Sequence, residues 1–270
     1  MKVRNALEVA TLTDAGVVRS FNEDTIATEL NLGLAVVADG MGGYKAGDVA
    51  SGMAASILVE ELKQHLRDAV PGTEELSPIL RGGVEKANQA IYQAAQANPQ
   101  YHGMGTTVAV ALFHDNRIHF THVGDSRLYR LRQGKLQALT QDHSILHEQV
   151  ALGLITTDDA KTSHNRNLVT RALGVEPGIE FEVNAQEAQP GDIFLLCSDG
   201  LNDMVDDADI ELALSALQAN LPLMARQLVM MANDNGGHDN VSVILVKVLK
   251  PFPAGEEAKG LMDRLFGWLK

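Results

Sequence analysis

The sequence predicts a layered α+β domain, on three observations. Two long helical patterns come first, a block of strand-like segments follows, and two further helical patterns precede a closing strand. With 45% hydrophobic residues, a chain of 270 residues can also bury a sizeable core. Finally, four short apolar runs lead into or out of an aspartate: LAVVADG (Asp39), HFTHVGDS (Asp125), FLLCSDG (Asp199) and HDNVSVILV (Asp239). Asp39 and Asp239 make sense together only if early strands pair with late ones.

Taken in order, residues 6–12 (ALEVATL) and 33–38 (GLAVVA) read as strands, the second apolar enough to be buried on both faces. From about Asp48 to Leu66, Val49, Met53, Ile57, Leu58 and Leu62 fall on one helical stripe, with Asp48 as N-cap or first-turn residue. A second helix is expected from about Ser77 to Ala97, turning Ile79, Leu80, Val84, Ala87 and Ile91 inward until Asn98-Pro99 stops it. Then the period changes. TTVAVALF, RIHFTHV, SRLYRLR and KLQALT, separated by His114-Asp115-Asn116, Gly124-Asp125 and Gln133-Gly134, read as an antiparallel meander. Residues 143–165 are polar and rich in Thr, Asp and His, an excursion over the surface. Strands return at 179–185 and 192–198, helical patterns occupy about 207–218 and 222–233, and a last strand covers 241–249. Nothing resembles a linker before Pro251, so residues 1–250 read as one domain and 251–270 as a linker with a short amphipathic tail.

Composition excludes several classes of function. Against 35 acidic residues stand 22 basic ones, a net charge of −13, which argues against nucleic acid as a primary partner. The one cysteine, Cys197, lies in an apolar run and reads as a buried thiol in a reducing compartment. The first residues lack a signal-peptide pattern, and no run approaches a membrane helix, so a cytoplasmic protein is expected. There is no Gly-x-x-x-x-Gly-Lys-Ser/Thr, dinucleotide fingerprint, His-Glu-x-x-His or Gly-x-Ser-x-Gly elbow.

Carboxylates at strand ends beside glycine suggest hard-cation chemistry, with Mg²⁺ or Mn²⁺ favoured by an all-oxygen donor set. Asp39 would bridge two cations and the Gly40 carbonyl would add an oxygen. In TDAGVVRSFNED, Arg19 offers a planar donor fork for phosphate, while Glu23 and Asp24 add acidic groups; alone, the segment would be an ordinary polar loop. Asp125 sits in a turn with Ser126 and Arg127, where a plain hairpin turn competes. Ser198 precedes Asp199 with no obvious base, and Asn240 follows Asp239. His119, His122, His143 and His164 read as structural or surface residues rather than ligands.

The ordered set TDAGVVRSFNED, VADGMGG, GMGTT, VGDSRLYR, TQDHS, NLVTRALG, LLCSDGL and GGHDNVSV resembles the bacterial branch of the metal-dependent protein phosphatase 2C family. The resemblance runs from residue 8 to about 248. It implies a four-layer α-β-β-α sandwich, two packed antiparallel sheets flanked by helix pairs. By the same resemblance, Asp39 bridges two ions, Asp199 and Asp239 complete the first, and the Gly40 carbonyl serves the second. Glu23 holds water on the second ion, Asp125 with Asp199 forms a third-metal site, Arg19 binds substrate phosphate, and Asp24 and Asn240 orient the ligands. The implied reaction is hydrolysis of phosphoserine and phosphothreonine by a water or hydroxide activated at a binuclear Mg/Mn centre, opposing a bacterial Ser/Thr kinase, in a monomer. One departure is Met41, where eukaryotic relatives have a nearby histidine proposed as general acid; a thioether donates no proton. The excursion at 143–165 matches the mobile flap of bacterial members.

Competing readings keep the chemistry but take an anti-sigma-factor antagonist as substrate, or drop catalysis for phosphoprotein binding. Three intact aspartates, Asp39, Asp199 and Asp239, argue against the last. In the tail, Leu261, Met262, Leu265, Phe266, Trp268 and Leu269 share one helical side. A helix docked on its own domain, or one partly disordered, is the plain reading. The sharper one is peripheral membrane or partner docking through residues 259–270.

Overall fold

A computed structural model describes residues 3–43, 46–67, 73–156, 159 and 168–254. The strands are β1 (Leu7–Asp14), β2 (Asp24–Glu29), β3 (Leu34–Met41), β4 (Gly105–Thr106), β5 (Val108–His114), β6 (Arg117–Val123), β7 (Arg127–Arg132), β8 (Lys135–Ala138), β9 (Val183–Glu187), β10 (Ile193–Cys197) and β11 (Val241–Val248). Helices are α1 (Ala46–Arg67), α2 (Thr73–Ala97), α3 (Ile145–Ala151), α4 (Asp199–Asn202), α5 (Asp207–Ala216) and α6 (Leu221–Asp234). One sheet has the order β1-β11-β10-β7-β8. The other runs β2-β3-β5-β6-β9, with β4 paired to β3, and every pairing is antiparallel.

The apolar runs are explained by what covers their two faces. In β3, Val36 packs with Leu58, Leu62, Leu80, Val84 and Ile91 of α1 and α2, whereas its neighbour Val37 points between the sheets. In β10, Leu195 packs with Leu214 of α5 and Leu228 of α6, while Phe194 and Leu196 face the opposite sheet. Phe113 meets Phe194 edge to face at 5.2 Å between the sheets. Each such fully buried side chain contributes about 1.5–3 kcal/mol. The layers are therefore helix pair, sheet, sheet, helix pair, as the family resemblance implies.

Two local readings need correction. The segment ahead of residue 33 contains an unanticipated strand, β2, at the edge of its sheet. Its DTIATE alternation is too polar to stand out. The meander is split: β5–β6 and β7–β8 are hairpins of different sheets, and the chain changes sheets at Gly124-Asp125. Asp48 lies in the first turn of α1, one of the two places expected for it. Within the polar excursion, α3 is capped by the Ser144 hydroxyl, which accepts from the His147 N–H. His164 and the tail from residue 255 lie outside the described residues. Among those described, no helix is long and apolar enough to cross a membrane.

Candidate metal and phosphate site

Strand register collects the sequence-distant aspartates at one end of the sandwich. In the first sheet, Asp14 pairs with Val241, and Cys197 lies opposite both Val243 and Arg127. Asp239, Asp199 and Asp125 thus sit just beyond neighbouring strand ends. In the second sheet, Asp24 faces Asp39 directly, Val37 pairs with Ala109, and Val108 with Val123. That places Asp24, Asp39 and the Gly124-Asp125 link at the matching end.

Each carboxylate is then fixed through its backbone or its neighbours. The Asp39 carbonyl accepts from the Thr107 N–H (2.9 Å) and the Thr106 hydroxyl (2.8 Å), and its own N–H donates to Thr107 Oγ1 (3.1 Å). Gly40 passes so close to Gly47 at the start of α1 that a Cβ on either would collide with the other's backbone. The Gly124 N–H donates to His143 Nδ1 at 3.3 Å, and the His143 N–H returns a bond to the Gly124 carbonyl at 2.9 Å. His143 in turn stacks on His122, ring centres 4.5 Å apart. Ser198 is buried, donates to Asp24 Oδ2 (2.7 Å) and accepts from the Ser242 N–H (3.0 Å). It therefore has a carboxylate partner that the sequence did not reveal.

The loop between β1 and β2 is tied to the Asp239 end. Gly16 adopts a positive φ of 77° and lies against the Asp239 carbonyl, where no side chain would fit. Val17 and Val18 both donate to the Gly237 carbonyl, at 2.9 and 3.2 Å. Asn240, buried at 6% exposure, accepts from the Glu23 N–H (2.8 Å) and donates to the Ala15 (3.0 Å) and Phe21 (2.9 Å) carbonyls. On this frame, Arg19 Nη2 donates to Asp239 Oδ2 at 2.8 Å, and the arginine remains about half exposed at the mouth.

Electrostatics confirm that the carboxylates share one environment. Burial, then repulsion from Asp24, Asp199 and Asp125, pushes Asp39 well above the ordinary carboxylate range. Asp199 is raised well above it by burial, then by Asp125, Asp203, Asp239 and Asp24. Asp125 rises to about 7, from burial first and then Asp142. Asp24 rises to about 6 through burial, against the pull of Ser242 and Ser198. Two members of this field escaped the sequence reading. Asp203 lies one turn after Asp199, a spacing visible in SDGLND once α4 is recognised as helical. Asp142 receives both forks of Arg127 (2.8 and 2.6 Å), so Arg127 is a structural partner, as its turn context suggested. Ser126 is likewise spent on Thr107, at 2.7 Å.

The residues fit divalent cations chemically. Buried Glu23 Oε1, Asp24 Oδ1 and Asp199 Oδ1 have no hydrogen-bond partner, a costly state for carboxylate oxygens that a cation would relieve. Available donors are oxygens, the set that suits Mg²⁺ or Mn²⁺. Among the described residues, however, no three His, Cys, Asp or Glu side chains already stand as a finished ligand set.

Comparison with known proteins adds independent support. The profile of the family described as protein phosphatase 2C matches residues 17–243. The serine/threonine phosphatase stp of Listeria welshimeri is 38% identical, over 87% of this chain and 93% of its own. The crystal structure of the Mycobacterium tuberculosis serine/threonine phosphatase PstP/Ppp superposes with a TM-score of 0.82 at 38% identity, covering 90% of this chain and 99% of that one. A structure of the PstP catalytic domain in complex with two manganese ions gives a TM-score of 0.80, also at 38% identity, with the same shares covered.

Proposed function

The chain belongs to the protein phosphatase 2C family, and on that premise we propose that it is a metal-dependent enzyme hydrolysing phosphoserine and phosphothreonine on proteins, opposing a Ser/Thr kinase. The observation that carries this reading is the gathering of Asp39, Asp125, Asp199 and Asp239 at one sandwich end with Arg19 at its mouth. Asp39, Asp199 and Asp239 would hold two ions, with the Gly40 carbonyl close by and Glu23 acting through water. Asp125, beside Asp199 and Asp203, would contribute to a third. Divalent ions bound there supply Lewis acidity and make water nucleophilic at neutral pH.

Arg19 spends one donor on Asp239 Oδ2, leaving the rest of its fork to take phosphoryl oxygens and offset the charge that grows on them. Asp24 and Asn240 position rather than react: one is locked by Ser198, the other pins the Arg19 loop. Neither Ser198 nor Cys197 suits covalent catalysis. Ser198 is buried with its hydroxyl committed, and burial pushes the Cys197 thiol up to about 12, so no thiolate forms at working pH. Direct attack by water is the route that membership of the family implies.

Hydrolysis of p-nitrophenyl phosphate with Mn²⁺ tests the proposal. Turnover should vanish with EDTA and fall more than about 100-fold in Asp39→Asn, a loss of over ~2.7 kcal/mol in transition-state stabilisation. A wild type without metal-dependent turnover would falsify the reading.

A further inference from the structure

Asp125 is buried, yet the joint that precedes it is soft. Gly124 turns the chain with a φ of 97°, and glycine has no side chain to hold that angle. The joint is fixed from two sides instead. His143 takes both polar groups of Gly124: Nδ1 accepts from its N–H at 3.3 Å, and the His143 N–H donates to its carbonyl at 2.9 Å. One residue after Asp125, Ser126 Oγ meets Thr107 Oγ1 at 2.7 Å, and the same threonine oxygen accepts from the Asp39 N–H.

The imidazole is itself held in place. With Nδ1 accepting, the ring proton lies on Nε2, and burial keeps the group well below the usual histidine range, so the ring is neutral at working pH. It stacks on His122, whose Nε2 donates to the Gln141 carbonyl at 2.7 Å. Asp125, meanwhile, faces the repelling carboxylates of Asp199 and Asp203. Until a cation arrives, its backbone has to keep it in place against that repulsion.

We infer that His143 is a positioning residue, whose Nδ1 acts through Gly124 to set the Asp125 carboxylate for the third cation. This rests on the reading of Asp125 as a ligand given above and deepens it. Groups that orient a metal ligand, without touching the ion, commonly change its affinity by about 10–100-fold. Because both bonds of His143 go to Gly124, the effect should fall on the ion at Asp125 and spare the tighter ones.

The test titrates the full metal-free chain with Mn²⁺ by isothermal calorimetry, with Asp125→Asn marking which ion is at stake. His143→Phe keeps a ring to stack on His122 but has no acceptor; it should weaken that ion roughly tenfold and leave the others within about twofold. His143→Asn gives up the ring and sets its amide oxygen near the place of Nδ1, so it should restore most of the affinity. His143→Leu, also without an acceptor, repeats the measurement should the phenylalanine variant not fold. Amide exchange across residues 123–126 of the metal-free protein should quicken in the phenylalanine variant and not in the asparagine one. Equal losses in those two variants, or a loss spread evenly over all ions, would assign the ring to folding alone and overturn the proposal. Wild-type binding in Asp125→Asn overturns it as well. Wild-type turnover of p-nitrophenyl phosphate separates the failures. If it persists while the histidine variants bind Mn²⁺ like the wild type, only the positioning role falls, whereas a wild type with neither turnover nor Mn²⁺ binding sinks the phosphatase reading too.

Discussion

Asn240→Ala should detach the β1–β2 loop from the rest of the site. The side chain is buried and makes three hydrogen bonds, to the Glu23 N–H and to the Ala15 and Phe21 carbonyls, all between 2.8 and 3.0 Å. At a net contribution of about 1 kcal/mol each, their loss costs about 3 kcal/mol. With a urea m-value of roughly 3 kcal/mol/M for a chain of this size, the unfolding midpoint in metal-free buffer should drop by about 1 M. Because Arg19 and Glu23 ride on the loop, kcat/KM for p-nitrophenyl phosphate should fall as well, and amide exchange across residues 15–23 should accelerate. Asn240→Asp is the informative companion. It keeps the acceptor for Glu23 but sets a carboxylate oxygen against two carbonyls, so it should be no more stable than the alanine variant. An Asn240→Ala protein that unfolds within about 0.5 kcal/mol of the wild type, with unchanged amide exchange in the loop, would refute the reasoning.

Further predictions follow from the same geometry. Asp39→Asn should be more stable than the wild type in EDTA at pH 7–8, by about 1–2 kcal/mol, because it removes one of several repelling buried carboxylates. Lower stability by urea titration would contradict the electrostatic account. Gly40→Ala should drive α1 off β3 through the Gly47 backbone and cost at least ~2 kcal/mol together with activity, measured by thermal unfolding and turnover. Ser198→Ala takes the Ser198 donor from Asp24 and leaves the Ser242 N–H without its side-chain acceptor, a loss of about 2–4 kcal/mol visible in urea. Burial lowers buried His119 to about 4, so its neutral state contributes fully above its unfolded value near 6.5, and that stability is lost as pH falls towards 4. The difference in stability between wild type and His119→Leu should therefore change by up to about 3 kcal/mol across that window, and a pH-independent difference would count against it.

The helices and central strands were legible because their burial is written in periodicity. Leu58, Leu62, Leu80, Val84 and Ile91 recur at helical spacing and all lie fully buried. Strands covered on both sides, such as β3 and β10, read as unbroken apolar runs for the same reason. What stayed hidden was pairing. A strand period says which face is apolar but not which sheet will use it, so β6 and β7 looked like one meander although they belong to different sheets. Edge strand β2 needs apolar residues on only part of its surface and resembled a loop. In the site, the aspartates were visible as strand ends, and Arg19 as a cation beside them. The Ser198–Asp24 bond joins residues 174 positions apart and leaves no local trace.

Because Asp24 and Asp39 belong to one sheet, Asp199 and Asp239 to the ends of the other, and Asp125 to the link between, the centre exists only as a coincidence of two halves. The hairpin at Gln133-Gly134 is exposed at its tip and divides the chain accordingly. An amino-terminal piece would keep Arg19, Asp24, Asp39 and Asp125, and the remainder Asp199 and Asp239. Neither piece alone holds the cluster, so cutting there turns the molecule into a two-part reporter in which any regained turnover measures reassociation of the fragments.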